Sequence, residues 1–316
     1  MTLVCVRLEK SFGVDRITAL ADTRASIRRP DGSFKTVSDT TTKLFAVPVR
    51  CYTLDQLTPV VGAWADPYFE TTIGLGFSGS CFECLTVIAH ISRALSALAA
   101  PNGDQPVPVR DGLVNLIGKL CDSYFSHHSG DGDPVLLLLA FGFEGDRPWV
   151  AKITWRQQEG LQSRTVWANE DTLETIGQDA RFQQYASDWR ERIRKHKDGV
   201  SSKPALQADD GAFEKALEVS RHDLAERKVT EEEMLHQIDS EFAESIGGVL
   251  QRLELSSANG NVIAGFTRDD CDYMEGGSYS VAPGTLLGPI PIVERMGRRV
   301  RRPGSTGSRK DGSESI

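Results

Sequence analysis

The chain has 316 residues, 40% hydrophobic and 25% charged, the make-up of a globular protein rather than a disordered or fibrous one. A formal net charge of −8 and a pI near 5.4 argue against nucleic acid as the main partner. No apolar run approaches the ~18 residues of a membrane span, and the N-terminus shows no basic segment followed by an apolar stretch, so a cytoplasmic location with no membrane partner is the expectation.

Residues 2–8 and 16–22 read as a hairpin, because Leu3, Val4, Cys5 and Val6 form an apolar, β-prone run that residues 17–21 answer. Residues 9–15, with Gly13, are the expected turn. Residues 27–40, with Pro30, Asp31-Gly32 and Lys35, read as a polar loop. Strands are expected at 43–51 and 71–77, with an ordered loop over 57–68 that holds Pro59, Trp64 and Pro67. Leu85, Ile88, Ala89, Ser92, Leu95 and Leu98 recur at helical spacing, which predicts a helix over 80–100 ended by Pro101-Asn102-Gly103. A second helix is predicted over 109–124, with Leu113, Leu116, Ile117 and Leu120 on one face. The continuous apolar run at 134–142 reads as a buried strand, turned by Glu144-Gly145-Asp146 into a partner at 148–155. Residues 182–195 and 213–245 read as helical, the second region divided by the capping signature Thr230-x-x-Glu233, with a polar linker at 197–211 between them. Two last strands, 249–255 and 262–266, are joined by Asn259-Gly260, a strong hairpin signal. From residue 268 onward glycine and proline become frequent, and residues 295–310 hold seven basic side chains, the composition of a disordered tail. The expected division is therefore a folded domain at 1–267 and a tail at 268–316. The order of strand block, helix pair, strand pair, helix pair and strand pair suggests two sheets between two helix layers.

The chemistry concentrates at the start of the chain. Removal of Met1 before a residue as small as Thr2 would expose an α-amine beside a hydroxyl. An α-amine has a pKa near ~8, low enough to take the hydroxyl proton at neutral pH. Thr is also an ordinary second residue, and alone the position carries little. Lys43 opens an apolar strand, where a lysine costs free energy unless it is paired or snorkels from an edge. Asp22, at the end of an earlier strand, is the available partner; its other reading is a cap on the turn that follows. An ammonium near the nucleophile lowers the pKa of both the hydroxyl and the amine.

Gly74-x-Gly76-x-x-Gly79 spells a dinucleotide-binding fingerprint, but no acidic residue ends a strand some 20 residues later. The alternative is that the Gly79 N–H serves as an oxyanion donor, glycine permitting close approach of a substrate. The six cysteines show no disulfide framework, and Cys81-x-x-Cys84 reads as structural thiols before a redox or zinc motif. Cys5 could be the nucleophile only if four residues were clipped, with no processing glycine before it. His127-His128 with Asp131 and Asp133 lies in a glycine-rich stretch and reads as a solvated loop before a metal site.

Taken in order, Thr2, Ala21-Asp22-Thr23-Arg24-Ala25-Ser26, Lys43-Leu44-Phe45 and the turn from Gly76 to Glu83 resemble the proteasome β-subunit family of N-terminal nucleophile hydrolases. That family includes the HslV peptidase and the bacterial Anbu-type branch. The resemblance is dense over residues 2–95 and thins beyond. It implies an α/β four-layer αββα sandwich and a threonine-type peptidase with Thr2, Asp22 and Lys43 as catalytic residues. It further implies Gly79 at the oxyanion and Arg24 and Ser80 in support. Where the family places a serine this chain has Gln178, and no later aspartate stands near Ser245-Ile246-Gly247-Gly248; Asp179 and Ser245 are the residues that could substitute. No metal or organic cofactor is implied. The implied partners are a peptide or amide substrate and further copies of the chain in a ring or spiral; the sequence does not say whether an ATPase unfoldase takes part. A catalytically silent assembly subunit, toward which Gln178 points, and a small-molecule amidase are the alternative readings.

Overall fold

The computed structural model describes residues 3–11, 14–53, 66–100, 105–127, 134–169, 172–177, 246–248, 250–258, 260–268, 286–287 and 290–291. In chain order the elements are β1 (Leu3–Ser11), β2 (Val14–Ala21), β3 (Ala25–Arg28), β4 (Phe34–Ser38), β5 (Leu44–Thr53), β6 (Phe69–Gly79), α1 (Cys81–Leu95), β7 (Leu98–Ala100), α2 (Arg110–Ser126), β8 (Val135–Glu144), β9 (Arg147–Arg156), β10 (Gly160–Trp167), β11 (Leu173–Gly177), β12 (Gln251–Ala258), β13 (Asn261–Arg268), β14 (Leu286–Leu287) and β15 (Ile290–Pro291).

Two sheets carry the molecule. One has the order β11-β1-β2-β12-β13 and is antiparallel throughout. The other has the order β10-β9-β8-β6-β5-β7, antiparallel except where β7 runs parallel to the end of β5. The alternation of the strands explains their stacking. Val4, Val6 and Leu8 of β1, Ile17, Ala19 and Ala21 of β2, and Leu253 and Leu255 of β12 face Leu44, Leu139, Phe141, Phe143 and Val150 of the other sheet, forming one buried core between the sheets. The opposite face of the six-stranded sheet is covered by α1, through Cys84, Val87, Ile88, Ile91 and Leu95, and by α2, through Leu113, Val114, Ile117, Cys121 and Phe125. The described residues thus form sheet, sheet and helix layers. Phe182 and its neighbours, and the region 213–245, expected as the other helix layer, lie outside them. Among the described residues no helix is long and apolar enough to cross a membrane.

Several expectations are corrected. The first hairpin ladder is longer than expected: Glu9, Lys10 and Ser11, placed in the turn from sequence, pair with Arg16, Asp15 and Val14. The segment 27–40 is not a loop throughout, because β3 and β4 form a small two-stranded ribbon there. Its bend is made by Asp31, whose carboxylate accepts the Ser33 N–H and Oγ–H, and by Gly32 at φ +86°. The helix expected over 80–100 ends at Leu95, and Leu98–Ala100 becomes an edge strand against Cys51, Tyr52 and Thr53. The last hairpin stands as expected about Asn259-Gly260, with Gly260 at φ +77°, but β12 begins two residues later than position 249.

Candidate active site

β2 and β5 belong to different sheets, yet their ends meet. Asp22 follows the last residue of β2, and Lys43 precedes the first residue of β5. Lys43 Nζ lies 3.1 Å from both carboxylate oxygens of Asp22 and 2.5 Å from the Arg24 carbonyl oxygen. Both side chains are buried, Asp22 at 0% and Lys43 at 1% exposure, so the lysine is paired and does not snorkel. Burial pushes the Asp22 carboxyl up and the Lys43 ammonium down, and their mutual attraction opposes both shifts.

Asp22 does more than hold the lysine. Its Oδ1 accepts the Leu3 N–H at 2.9 Å, and its Oδ2 accepts the N–H of Arg24 at 3.2 Å and of Gly247 at 3.3 Å. It therefore caps the turn after β2, one of its two sequence readings, and pairs Lys43, the other. Leu3 also accepts back from the Asp22 N–H at 3.3 Å. The start of the chain and the buried ion pair are thereby tied to one carboxylate.

The segment from Ile246 to Gly248 closes the site. Gly247 O accepts the N–H groups of Thr23 and Arg24. The Arg24 guanidinium bonds Asp39, with Nε to Oδ1 at 2.7 Å, and reaches the Ile246 carbonyl oxygen. A Cβ added to Gly247 would meet the Arg24 guanidinium at 2.4–2.7 Å, so the guanidinium packs directly on the Gly247 backbone. From β12, the buried Gln251 accepts the Lys43 N–H at 2.9 Å and the Leu44 N–H at 3.3 Å through Oε1, and donates from Nε2 to the Thr41 carbonyl oxygen at 2.7 Å. Sequence reading passed over Gln251 and Asp39. The signal for Gln251 was available: it stands in period 2 with Leu253 and Leu255, a polar residue on an otherwise apolar face.

Beside Lys43 runs the end of β6, where the Phe77 N–H donates to Lys43 O at 3.2 Å. Gly79 lies two residues further on, at φ +136°, and Ser80 donates its N–H to Val135 O at 2.9 Å while its Oγ accepts the Val135 N–H. Ser80 is thus bonded to β8. The dinucleotide fingerprint is not a phosphate loop here. Gly74 and Gly76 lie inside β6, where an added Cβ would meet the Phe141 ring of the neighbouring β8 at 2.1 Å and Val4 Cγ1 of the other sheet at 2.9 Å, so Gly74 makes room for a ring within its own sheet and Gly76 lets the two sheets approach.

Of the residues singled out from sequence, the structure brings together Asp22, Arg24 and Lys43, with the β6 end that carries Gly79 and Ser80 alongside. Thr2, Gln178, Asp179 and Ser245 lie outside the described residues, as do Asp131 and Asp133. His127 ends α2, its Nδ1 at 2.7 Å from Ser123 O.

Cys81 opens α1 within electrostatic reach of Lys43 and is half-buried; Cys84 and Cys121 are fully buried between helices and sheet. Burial pushes all three thiols up, Cys84 well above its usual range and Cys121 to about 12, while Lys43 pulls the Cys81 thiol back down. Iodoacetamide at pH 8 is therefore expected to alkylate Cys81 before Cys84 or Cys121 in the native protein. Peptide mass mapping over time checks the order, and equal rates would contradict the helix packing described.

No family model matches the sequence, and no curated protein matches it. The solved structures to which the chain is similar include two of Anbu. One is the Gly-1 mutant of Anbu from Hyphomicrobium sp. strain MC1, 14% identical, over 86% of this chain and 88% of that one, with a TM-score of 0.45. The other is Anbu, described as an ancestral β-subunit, from Yersinia bercovieri, 15% identical, over 85% of this chain and 88% of that one, with a TM-score of 0.42. Likeness at this level leaves function to be argued from the site.

Proposed function

We propose that the chain is a proteasome-like N-terminal threonine hydrolase that cleaves peptide or amide bonds. The observation that carries this reading is the Asp22 carboxylate, which accepts the Leu3 N–H and binds the Lys43 ammonium in one buried position. Leu3 is the residue that follows Thr2 in the sequence, and this ties the reading of the pair to Thr2. A buried lysine held against the chain start has an evident use if that start is a nucleophile.

In this reading Met1 is removed, and Thr2 Oγ attacks the substrate carbonyl while the Thr2 α-amine accepts the hydroxyl proton, directly or through water. The positive charge of Lys43 favours the neutral amine and the developing alkoxide. The Gly79 N–H stabilises the oxyanion. What supports the last role is strand alternation: Phe77 gives its N–H to the Lys43 side and Ser80 to the β8 side, which turns the Gly79 N–H toward Lys43. Collapse of the tetrahedral adduct breaks the C–N bond, the leaving amine takes the proton, and water then hydrolyses the ester to free Thr2 Oγ. Arg24 supports the site through its carbonyl on Lys43 Nζ. Asp179 and Ser245 are candidates for the remaining polar support, with Gln178 at the place the family gives to serine.

The proposal includes the four-layer αββα sandwich over 1–267. Its support is that Leu3, Cys5, Arg7, Thr18 and Leu20, on the five-stranded sheet face turned away from the other sheet, are all buried. It also includes assembly of several copies, for which the support is Phe82 on α1, 75% exposed.

The test is intact mass followed by labelling with a tripeptide vinyl sulfone. Loss of Met1, an adduct mapped to Thr2 and no adduct in Thr2→Ala are the expected results. Retention of Met1 in most molecules, or an adduct that persists in Thr2→Ala and disappears in Cys5→Ala, would overturn the assignment.

A further inference from the structure

We propose that Gln251 is a positioning residue for Lys43, its side-chain amide fixing the main chain from which the ammonium reaches Asp22. The role is defined within the threonine hydrolase reading above, since it concerns the lysine assigned to that reaction.

The argument starts from the cost of the residue. Gln251 is fully buried and opens β12 on the face that continues as Leu253 and Leu255 into the core between the sheets. An amide there is costly unless its polar atoms are satisfied. A leucine at the same place would continue the apolar stripe and tie the sheets together equally well. The amide is explained by what it bonds: Lys43 N–H, Leu44 N–H and Thr41 O, three main-chain groups at the point where the chain enters β5. The stretch from Thr41 to Lys43 precedes the ladder of β5 with β6, and one side-chain amide stands in there for a neighbouring strand.

The register of the other sheet makes the placement specific. Gln251 pairs with Ala21, the residue before Asp22. The same strand entry supplies the Gly247 N–H to Asp22 Oδ2. One segment, from Gly247 to Gln251, therefore grips both members of the ion pair, the carboxylate through a backbone N–H and the lysine through its own backbone. Asp22 fixes the Lys43 ammonium and Gln251 fixes its root. With the root released, Asp22 stays held by the Leu3, Arg24 and Gly247 N–H groups, while the Lys43 ammonium is free to shift against it.

The test compares Gln251→Met, which keeps length and volume but has no hydrogen-bonding amide, with Gln251→Glu, which keeps the acceptor for the Lys43 and Leu44 N–H groups. Two readouts are taken on the full chain: the rate of Thr2 labelling by a tripeptide vinyl sulfone across pH, and the Lys43 titration by NMR of lysine labelled with ¹³C at Cε, assigned with Lys43→Arg. Gln251→Met is expected to slow labelling by roughly tenfold to a hundredfold and to move the Lys43 midpoint, with Gln251→Glu recovering part of the rate. A folded Gln251→Met with an unchanged titration and a labelling rate within about twofold of the unaltered protein would overturn the proposal, since displacement of a reacting group costs far more. Should Gln251→Met fail to fold, Gln251→Leu takes its place with the same two readouts and the same overturning result. Absence of Thr2 labelling in the unaltered protein sinks the hydrolase reading instead, and the titration then still decides whether Gln251 holds Lys43.

Discussion

Replacing Asp22 with asparagine is expected to cost the folded protein about 3–5 kcal/mol, the usual cost of removing one partner from a buried ion pair. The carboxylate serves four donors: Lys43 Nζ and the N–H groups of Leu3, Arg24 and Gly247. An amide presents NH₂ to one side of that ring, so donors face donors. Lys43 would be left buried with the Arg24 carbonyl as its other acceptor among the described residues. The complementary change, Lys43→Met, is expected to cost less, because the Asp22 carboxylate keeps three backbone donors. Denaturant titration of the two variants and of the double variant checks this order, and the double variant should recover part of the loss. A pH dependence follows for Lys43→Met. Burial already raises the Asp22 carboxyl above its ordinary 3.8, and Lys43 is the largest influence holding it down. Without the lysine the folded state binds a proton that the unfolded state has released, so the variant should gain stability as pH falls from 7 toward 5, relative to the unaltered protein. A variant that loses ground on acidification over this range would contradict the buried pair.

Gly79→Ala is the second large effect. An added Cβ would sit 2.0 Å from the Val135 carbonyl oxygen and 2.9 Å from its carbon, and φ of +136° is one that an L-residue adopts under strain. The obstacle is backbone, so no side chain can swing aside. The oxygen it strikes is the one that accepts the Ser80 N–H, and relief would part β6 from β8 at the entry to α1. Strain of about 1–3 kcal/mol and a lost hydrogen bond of about 1 kcal/mol together put the cost near 2–4 kcal/mol. Gly145→Ala is the control. Gly145 also has positive φ, at +61°, but a Cβ there meets nothing within 4 Å, so only the left-handed penalty of about 1–2 kcal/mol applies. Equal losses in the two variants, read as denaturation midpoints at constant slope, would show that the β6–β8 junction is looser than described.

The sequence alone determined the elements whose signals are local. The β8–β9 hairpin follows from an unbroken apolar run and Glu144-Gly145-Asp146, and the β12–β13 hairpin from Asn259-Gly260, because turn geometry and side-chain period act over a few neighbouring residues. The pairing of Lys43 with a carboxylate was legible for a different reason: a cation at the mouth of an apolar strand must find a counter-charge wherever the chain goes. Polar segments misled, since β3, β4 and the outer part of the first hairpin carry charges that read as loop. Their strand character comes from a partner across the ladder, and pairing partners do not show in a local pattern. The edge strand β7 read as helix because Leu98 keeps the helical period of α1, and only the nearness of the β5 end decides otherwise. The setting of Lys43 depended on tertiary structure most of all. Gln251 stands 208 residues from Lys43, and nothing in either segment calls for the other. Their bond exists because β12 pairs with β2 in one register and the two sheets stack with the start of β5 beneath it, a coincidence of two long-range alignments that only the folded chain contains.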